Sequence, residues 1–214
     1  MDAKPKRRTR ERILESALAL FNEYGVPGVA TATIAETMNI SPGNLYYHFH
    51  SKEKIVEALF AQYKQEIEAT LTPPERRPPH AEDIWLFLHL LFEAISKFRF
   101  LYRDLNELLS RHRFLEVQFR RILDHKIRTA TTILRALVAS GEMTATPMEI
   151  ETLATTMTMV ASYWLSFAYV RNPRAPVDGK TLAQGAFYVI SLAAPHLAPR
   201  ERELFDVLAK RYLP

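Results

Sequence analysis

An all-α fold is what the sequence predicts, on three observations. Apolar residues recur three and four apart along almost the whole 214-residue chain. No segment alternates apolar and polar residues as a half-buried strand would. Capping residues, glycines and prolines stand between the periodic runs at helix-length intervals. Hydrophobic residues make up 48% of the chain and charged ones 24%, ordinary for a globular protein, and the length allows one large or two modest domains with cores of their own. The chain has no cysteine, which excludes disulfides, thiolate nucleophiles and cysteine metal sites and fits a reducing compartment.

Thr9 can cap a first helix that runs to about Tyr24 and stops at Gly25. Ile13, Leu14, Ala17, Leu18, Phe21 and Tyr24 form its apolar stripe. Val26-Pro27-Gly28 is a turn, and a second helix begins near Ala30 or Thr31. From Thr31 to Phe49 the spacing predicts two short helices held at a fixed angle, a helix-turn-helix. Ile34, Ala35 and Met38 face inward, Ala35 is small where the helices cross, and Ile40 returns to the core. Asn39 stands at the corner, which calls for the positive φ that Gly takes freely and Asn tolerates. Ser41 is the N-cap of the second short helix and Pro42 its first residue, where no amide hydrogen is required. Leu45 and Phe49 anchor that helix. Its other side presents Gly43, Asn44, Tyr46, Tyr47 and His48, groups that exchange hydrogen bonds without fixed charge and can read DNA. The same pattern also suits a helical hairpin inside any all-α core.

Ser51 caps a long helix from Lys52 to about Leu71, and the run Thr72 to Pro79, with four prolines, is a loop. Residues 1–54 are read as a basic arm and helix-turn-helix domain, and residues 55–214 as a second, helical domain. In the latter, helices are predicted from Glu82 to Lys97, Leu101 to Ser110, Phe114 to Ala139, from Thr146-Pro147 to Val170, from the cap Asp178 through Ala194, and from Pro199 to Tyr212.

The first twelve residues carry Lys4, Lys6, Arg7, Arg8, Arg10 and Arg12 against Asp2 and Glu11, which accounts for the whole net charge of +4. A basic arm ahead of a helix-turn-helix suits phosphate neutralisation or a minor-groove contact, and a solubilising tail is the other reading. Lys52 and Lys54 open the long helix, where amides and ammonium groups together can hold a phosphate; plain surface charge is the alternative. No apolar signal-peptide core follows the basic start, so cytoplasmic residence is expected.

Ile34-Ala35, the run Ser41 to Phe49 (SPGNLYYHF) and Ser51-Lys52-Glu53-Lys54 resemble the DNA-binding signature of TetR-type transcriptional regulators, over about Arg10 to Leu59. The resemblance implies a DNA-reading domain followed by a helical domain that dimerises and binds a small effector. It makes double-stranded operator DNA the expected partner and requires no cofactor. Ser41, Gly43, Asn44 and Tyr46, on a helix opened by Pro42, are then candidates for base-edge or nearby sugar contacts. Thr31, Tyr47, His48, Lys52 and Lys54 are candidates for phosphates. Two departures stand out: Ala30 occupies a position where a capping Ser or Thr is common, and Ala32 one where a polar residue sometimes reaches a base. Thr31 can cap instead.

Thr152 to Val170 is uncharged over nineteen residues, close to the length of about 20 that spans a bilayer. Its four threonines and two serines make it too polar for a lone span, so it is read as buried in protein. Leu182 to Ala194, also uncharged, with Ala183, Gly185, Ala186, Ala193 and Ala194 permitting close approach, is its expected partner. Two such helices need more covering than one small domain offers, and a second copy of the chain supplies it. The resemblance implies the same four-helix arrangement in a homodimer.

The second domain carries no Glu-x-x-His pair, His-Glu-x-x-His zinc motif, Gly-x-Ser-x-Gly elbow or glycine-rich phosphate loop. Neither catalytic nor metal-binding residues are assigned, and a helical small-molecule-processing enzyme is the alternative class. What the domain does carry is aromatic residues interspersed with polar ones. On spacing alone these are a packed core; the resemblance implies a largely apolar effector site, with Trp85, His89, Phe92, Arg103, Asn106, Arg128, Tyr163, Trp164 and Phe167 as its candidate lining.

Overall fold

Local end-signals decide where each helix stops. In the computed structural model, which describes residues 3–72, 78–173 and 175–209, α1 runs Ala3–Tyr24 and ends at Gly25, whose φ of 79° closes the last turn. The helix begins six residues before Thr9. Pro5 falls in its first turn, where a missing amide hydrogen costs nothing, so it does not delay the start. α2 (Thr31–Thr37), α3 (Pro42–His48) and α4 (Lys52–Thr70) follow.

The predicted helix over Leu101 to Ser110 is two helices, α6 (Arg99–Arg103) and α7 (Leu105–Arg111), after α5 (Ala81–Lys97). The break at Asp104 has a tertiary cause. Its carboxylate accepts the Val26 amide at 2.9 Å. The neighbouring Arg103 guanidinium donates to the Phe21 and Glu23 carbonyls at 3.2 and 3.3 Å. Both carbonyls lie in the last turn of α1; that of Phe21 also accepts the Gly25 amide at 2.9 Å, so Arg103 adds to the capping of this end.

α8 (Arg113–Ser140) ends at Gly141, with φ 80°. α9 (Pro147–Arg171) opens with a reciprocal capping box between Thr146 and Glu149. Asp178 caps α10 (Gly179–Ser191) by accepting the Thr181 amide at 2.9 Å. This helix ends three residues before Ala194, because Pro195 bars the preceding residue from continuing the helix; a single 3-10 turn, Ala194–His196, takes its place. α11 spans Pro199–Ala209; the expected continuation to Tyr212 lies outside the described residues, as do residues 73–77 of the proline loop. Among the described residues there is no strand, only an isolated bridge between Met143 and Leu197, and no helix is long and apolar enough to cross a membrane.

The chain divides into two compact units: Met1–Gln65 with Phe98–Glu116, and Glu66–Lys97 with Val117–Pro214. In the first, Ile13, Ala17, Phe21, Ile34, Ala35, Leu45, Phe49, Ile55, Val56, Leu59, Phe60 and Tyr63 form the core, together with Phe98, Phe100 and Tyr102. In the second, α10 packs on α5 and α9, and Gly185 lets the helices approach closely. The α9 hydroxyls of Thr152, Thr155 and Thr156 donate to carbonyls four residues back, so this uncharged helix leaves none of these three groups unsatisfied.

Candidate nucleic-acid interface and ligand cavity

The angle between α2 and α3 is set by a Schellman turn. Asn39 takes φ 54°, its amide donates to the Glu36 carbonyl at 3.0 Å, and the Ile40 amide donates to the Ala35 carbonyl at 3.0 Å. Ile40 itself is half-buried. Ser41 then caps α3, its hydroxyl accepting the Asn44 amide at 3.2 Å, and Pro42 is the first helical residue. Ala30, not Thr31, holds the N-cap position of α2 and supplies no side-chain bond; Thr31 is the first helical residue and half-buried. Leu45 and Phe49 are buried, and the Arg10 guanidinium lies 4.8 Å from the Phe49 ring centre.

Anchored in this way, α3 exposes Gly43, Asn44, Tyr46 and Tyr47, the two tyrosines at 61% each, with His48 half-covered beside Tyr47. Lys54 is exposed and paired with Glu57 at 2.7 Å. Lys52 is turned inward: its ammonium donates to the Val26 and Val29 carbonyls at 2.9 and 3.0 Å. From the start of α4 it therefore holds the α1–α2 loop, a positioning task in place of the phosphate contact expected from its place in the sequence.

In the second unit, α5, α8, α9 and α10 surround a narrow apolar cavity of about 40 Å³. Its walls include Leu71, Phe87, Leu91, Leu134, Met157 and Val189. Lys126 and Thr158 are the polar groups in the lining among the described residues. Lys126 is 3% exposed and donates to the Ser162 hydroxyl at 3.2 Å; burial lowers its ammonium pKa to about 7. A second, wider groove of about 260 Å³, bounded by Thr70, Leu86, Leu90 and Thr129, shares the wall residues Ile84, Phe87 and Ile133 with the cavity. Thr129 also donates to the Leu71 carbonyl at 3.0 Å, tying the residue that follows α4 to the cavity wall.

Two family models cover most of the chain: one described as bacterial regulatory proteins, tetR family, matches residues 13–59, and one described as bacterial transcriptional repressor matches residues 62–205. The chain belongs to the tetR family. Among TetR-family relatives, the HTH-type transcriptional regulator UidR of Escherichia coli is 38% identical over 66 residues, covering 31% of this chain and 34% of that protein. The HTH-type transcriptional repressor KstR2 of Mycobacterium tuberculosis is 37% identical over 75 residues, 31% of this chain and 38% of that protein. The chain thus spans little more than a third of the length of these curated relatives. A TetR-family transcriptional regulator from Marinobacter aquaeolei aligns over 96% of this chain and 99% of its own, at 31% identity and a TM-score of 0.87.

For a TetR-family protein the cavity lining departs from the residues that the sequence suggested. None of the nine candidates borders it. Arg103 and Asn106 belong to the first unit, where Arg103 closes the end of α1. Trp85 is buried and stacked on Phe205 at 6.2 Å, and His89 bonds the Trp85 carbonyl at 2.7 Å. Phe92 is fully buried, and the Trp164 indole donates to the Thr181 carbonyl at 2.8 Å. Tyr163, Phe167 and Arg128 are exposed. Lys126 does border the cavity, and its place on α8 is visible in the sequence. Leu115, Phe119, Ile122, Lys126, Thr129, Ile133 and Leu137 follow one another three or four apart, so a lysine occupies the middle of α8's apolar stripe.

Proposed function

We propose that this chain is a transcriptional repressor that binds a pseudo-palindromic operator as a homodimer and releases it when a small, largely apolar effector enters the second unit. The observation that carries the reading is α3: a polar, uncharged face held outward by the Asn39 turn and the Ser41 cap in a TetR-family chain. Ser41, Gly43, Asn44 and Tyr46 read base edges or neighbouring sugars; Thr31, Tyr47, His48 and Lys54 engage phosphates. Lys52 holds the loop that sets this surface.

The dimer reading is supported by α9, where Met148, Met159, Tyr163, Phe167 and Val170 are exposed along one side and Tyr188 of α10 is exposed as well. In a two-fold dimer on a pseudo-palindromic operator, the two α3 helices would meet successive major grooves, roughly 34–36 Å apart. The effector reading is supported by the apolar cavity with its convergent polar groups and by the groove of about 260 Å³ on the other side of Ile84, Phe87 and Ile133, close to the ~300–1,000 Å³ typical of small-molecule sites. Because Leu71 lines the cavity and α4 runs from there back to Lys52, a ligand that displaces Leu71 would reposition the start of α4. Full switching needs a preference of about 10⁴-fold for the released state. No catalytic role is assigned, and a regulator of this kind works in the cytoplasm, where its operator is.

The test is a gel shift with promoter DNA from the chain's own operon across a salt series. Tyr47→Ala should weaken binding to all sequences alike, and Asn44→Ala should change which sequences are preferred. Uniform, equal losses from both variants reject this division of labour, and no shift at any salt concentration rejects the repressor reading.

A further inference from the structure

The interior of the second unit holds a cation where an apolar side chain would be more stable. Lys126 sits on the buried stripe of α8 between Ile122 and Ile133 and is itself 3% exposed. Its neighbours around the cavity are Leu88 and Leu91 of α5, Ala130 and Leu134 of α8, and Met157 and Ala161 of α9. A charge in such surroundings costs stability that leucine or methionine there would not. The polar groups are gathered rather than dispersed. Lys126 donates to Ser162, and Thr158, one turn earlier on the same helix, faces the cavity. Away from this end the shared wall is apolar, Ile84, Phe87 and Ile133, and on its other side lies the groove, where Leu86 and Leu90 stand with the polar Thr70, Thr72, Asp83 and Thr129. The site is therefore amphipathic: an ammonium and two hydroxyls at the inner end, and an aliphatic and aromatic wall between them and the groove.

We propose that the effector is a small amphiphilic carboxylic acid, its carboxylate seated on Lys126 with Ser162 and Thr158, and its apolar tail lying along Phe87 and Ile84 into the groove. This deepens the effector reading above and rests on it. An anion at the inner end offsets the cost of a buried ammonium and gains a charge-assisted hydrogen bond. A neutral alcohol of the same tail gains only the burial of its chain, and an amine brings a second cation against the first. The 40 Å³ at the inner end matches a carboxylate rather than a bulky head group, so selectivity lies in the charge, while the 260 Å³ groove tolerates variation in the tail.

The experiment is calorimetric titration of the full-length protein at pH 6, where the Lys126 ammonium is charged, with octanoate, octan-1-ol and octan-1-amine, paired with release of operator DNA in a gel shift. Wild type should bind octanoate at least tenfold more tightly than the alcohol and should not measurably bind the amine; octanoate should release DNA at the lowest concentration of the three. Lys126→Met should remove the acid's advantage while the alcohol binds as before, and Lys126→Arg should retain part of it. Melting curves of both variants establish that they fold, and the comparison of acid with alcohol in wild type stands without them. Equal affinities for acid and alcohol, or an acid preference unchanged in Lys126→Met, would overturn the proposal and leave the effector site intact. If neither this series nor a set of neutral apolar compounds binds, the effector reading falls together with it.

Discussion

Replacing Gly185 by alanine tests the packing of the second unit with two other glycines as internal controls. A Cβ at Gly185 would lie 2.6 Å from Trp164 Cδ1 and 2.7 and 2.8 Å from Phe92 Cε1 and Cζ. Both are ring atoms; Phe92 is fully buried and Trp164 is pinned by its indole bond to the Thr181 carbonyl. Neither ring can swing away as the end of a flexible chain would, so the helices must separate or the rings must leave their rotamers, which costs about 1–3 kcal/mol. Alanine recovers about 1 kcal/mol of helix propensity, leaving a net loss of roughly 0–2 kcal/mol, at about 2–4 °C of melting temperature per kcal/mol for a chain of this size. Gly179, the first residue of α10, has nothing within 4 Å of its added Cβ, and Gly141 has open space but φ 80°. Gly179→Ala makes the same change in a helix without the clash and should raise the melting temperature, so that the strain of about 1–3 kcal/mol separates it from Gly185→Ala; Gly141→Ala should lower stability by about 1 kcal/mol through backbone strain alone. Calorimetric melting of the three variants should place Gly185→Ala well below Gly179→Ala. If they melt together, the close approach of α10 to α5 and α9 is wrong.

Three further outcomes follow from the sites described. Asn39→Gly should leave stability unchanged or slightly higher, and Asn39→Val, forced to φ 54°, should lose about 1–3 kcal/mol and operator affinity with it; equal denaturant midpoints would mean the turn does not take this form. The Lys126 ammonium has a folded pKa of about 7 against an ordinary 10.5, so between those values the unfolded chain binds the extra proton and stability rises with pH, by about 1.4 kcal/mol per unit. Below pH 7 the cost is present in full. Lys126→Met should accordingly raise the melting temperature most at pH 6 and progressively less toward pH 10, and a pH-independent difference would contradict the burial of the charge. Lys52→Met should cost about 1–3 kcal/mol through loss of its two carbonyl bonds; unchanged stability with a salt slope lowered by about one would return Lys52 to the phosphates.

The parts of this fold that were legible in the sequence are those governed by neighbours a few residues away. Asn39, Ser41-Pro42, Gly25, Thr146-Pro147 and Asp178 each act through bonds within one turn of themselves, and each does so in the structure. The parts that were not legible depend on distant residues. Nothing between Leu101 and Ser110 interrupts a helical pattern; the break arises because Asp104 accepts an amide 78 positions away. Lys52 looked like a surface charge because the carbonyls it holds are 26 and 23 residues earlier. The aromatic candidates lie away from the cavity because Trp85, Phe92 and Trp164 fill space against Phe205, Gly185 and Thr181. Where aromatic rings pack tightly no cavity remains, and the void lies one helix face away among leucines, with Lys126 hidden in a sequence, Asp124-His125-Lys126-Ile127-Arg128, that reads as solvated charge.

The central claim is that α3 is an outward-facing reading helix that works in pairs. Sedimentation of the full chain with a fluorescent duplex carrying its promoter tests this most directly. Two chains, or a multiple of two, should bind each duplex, with affinity falling steeply as salt rises and with a stretch of roughly one helical turn between the protected half-sites. A single chain per duplex, or binding that Asn44→Ala, Tyr46→Ala and Tyr47→Ala together leave unchanged, would contradict it.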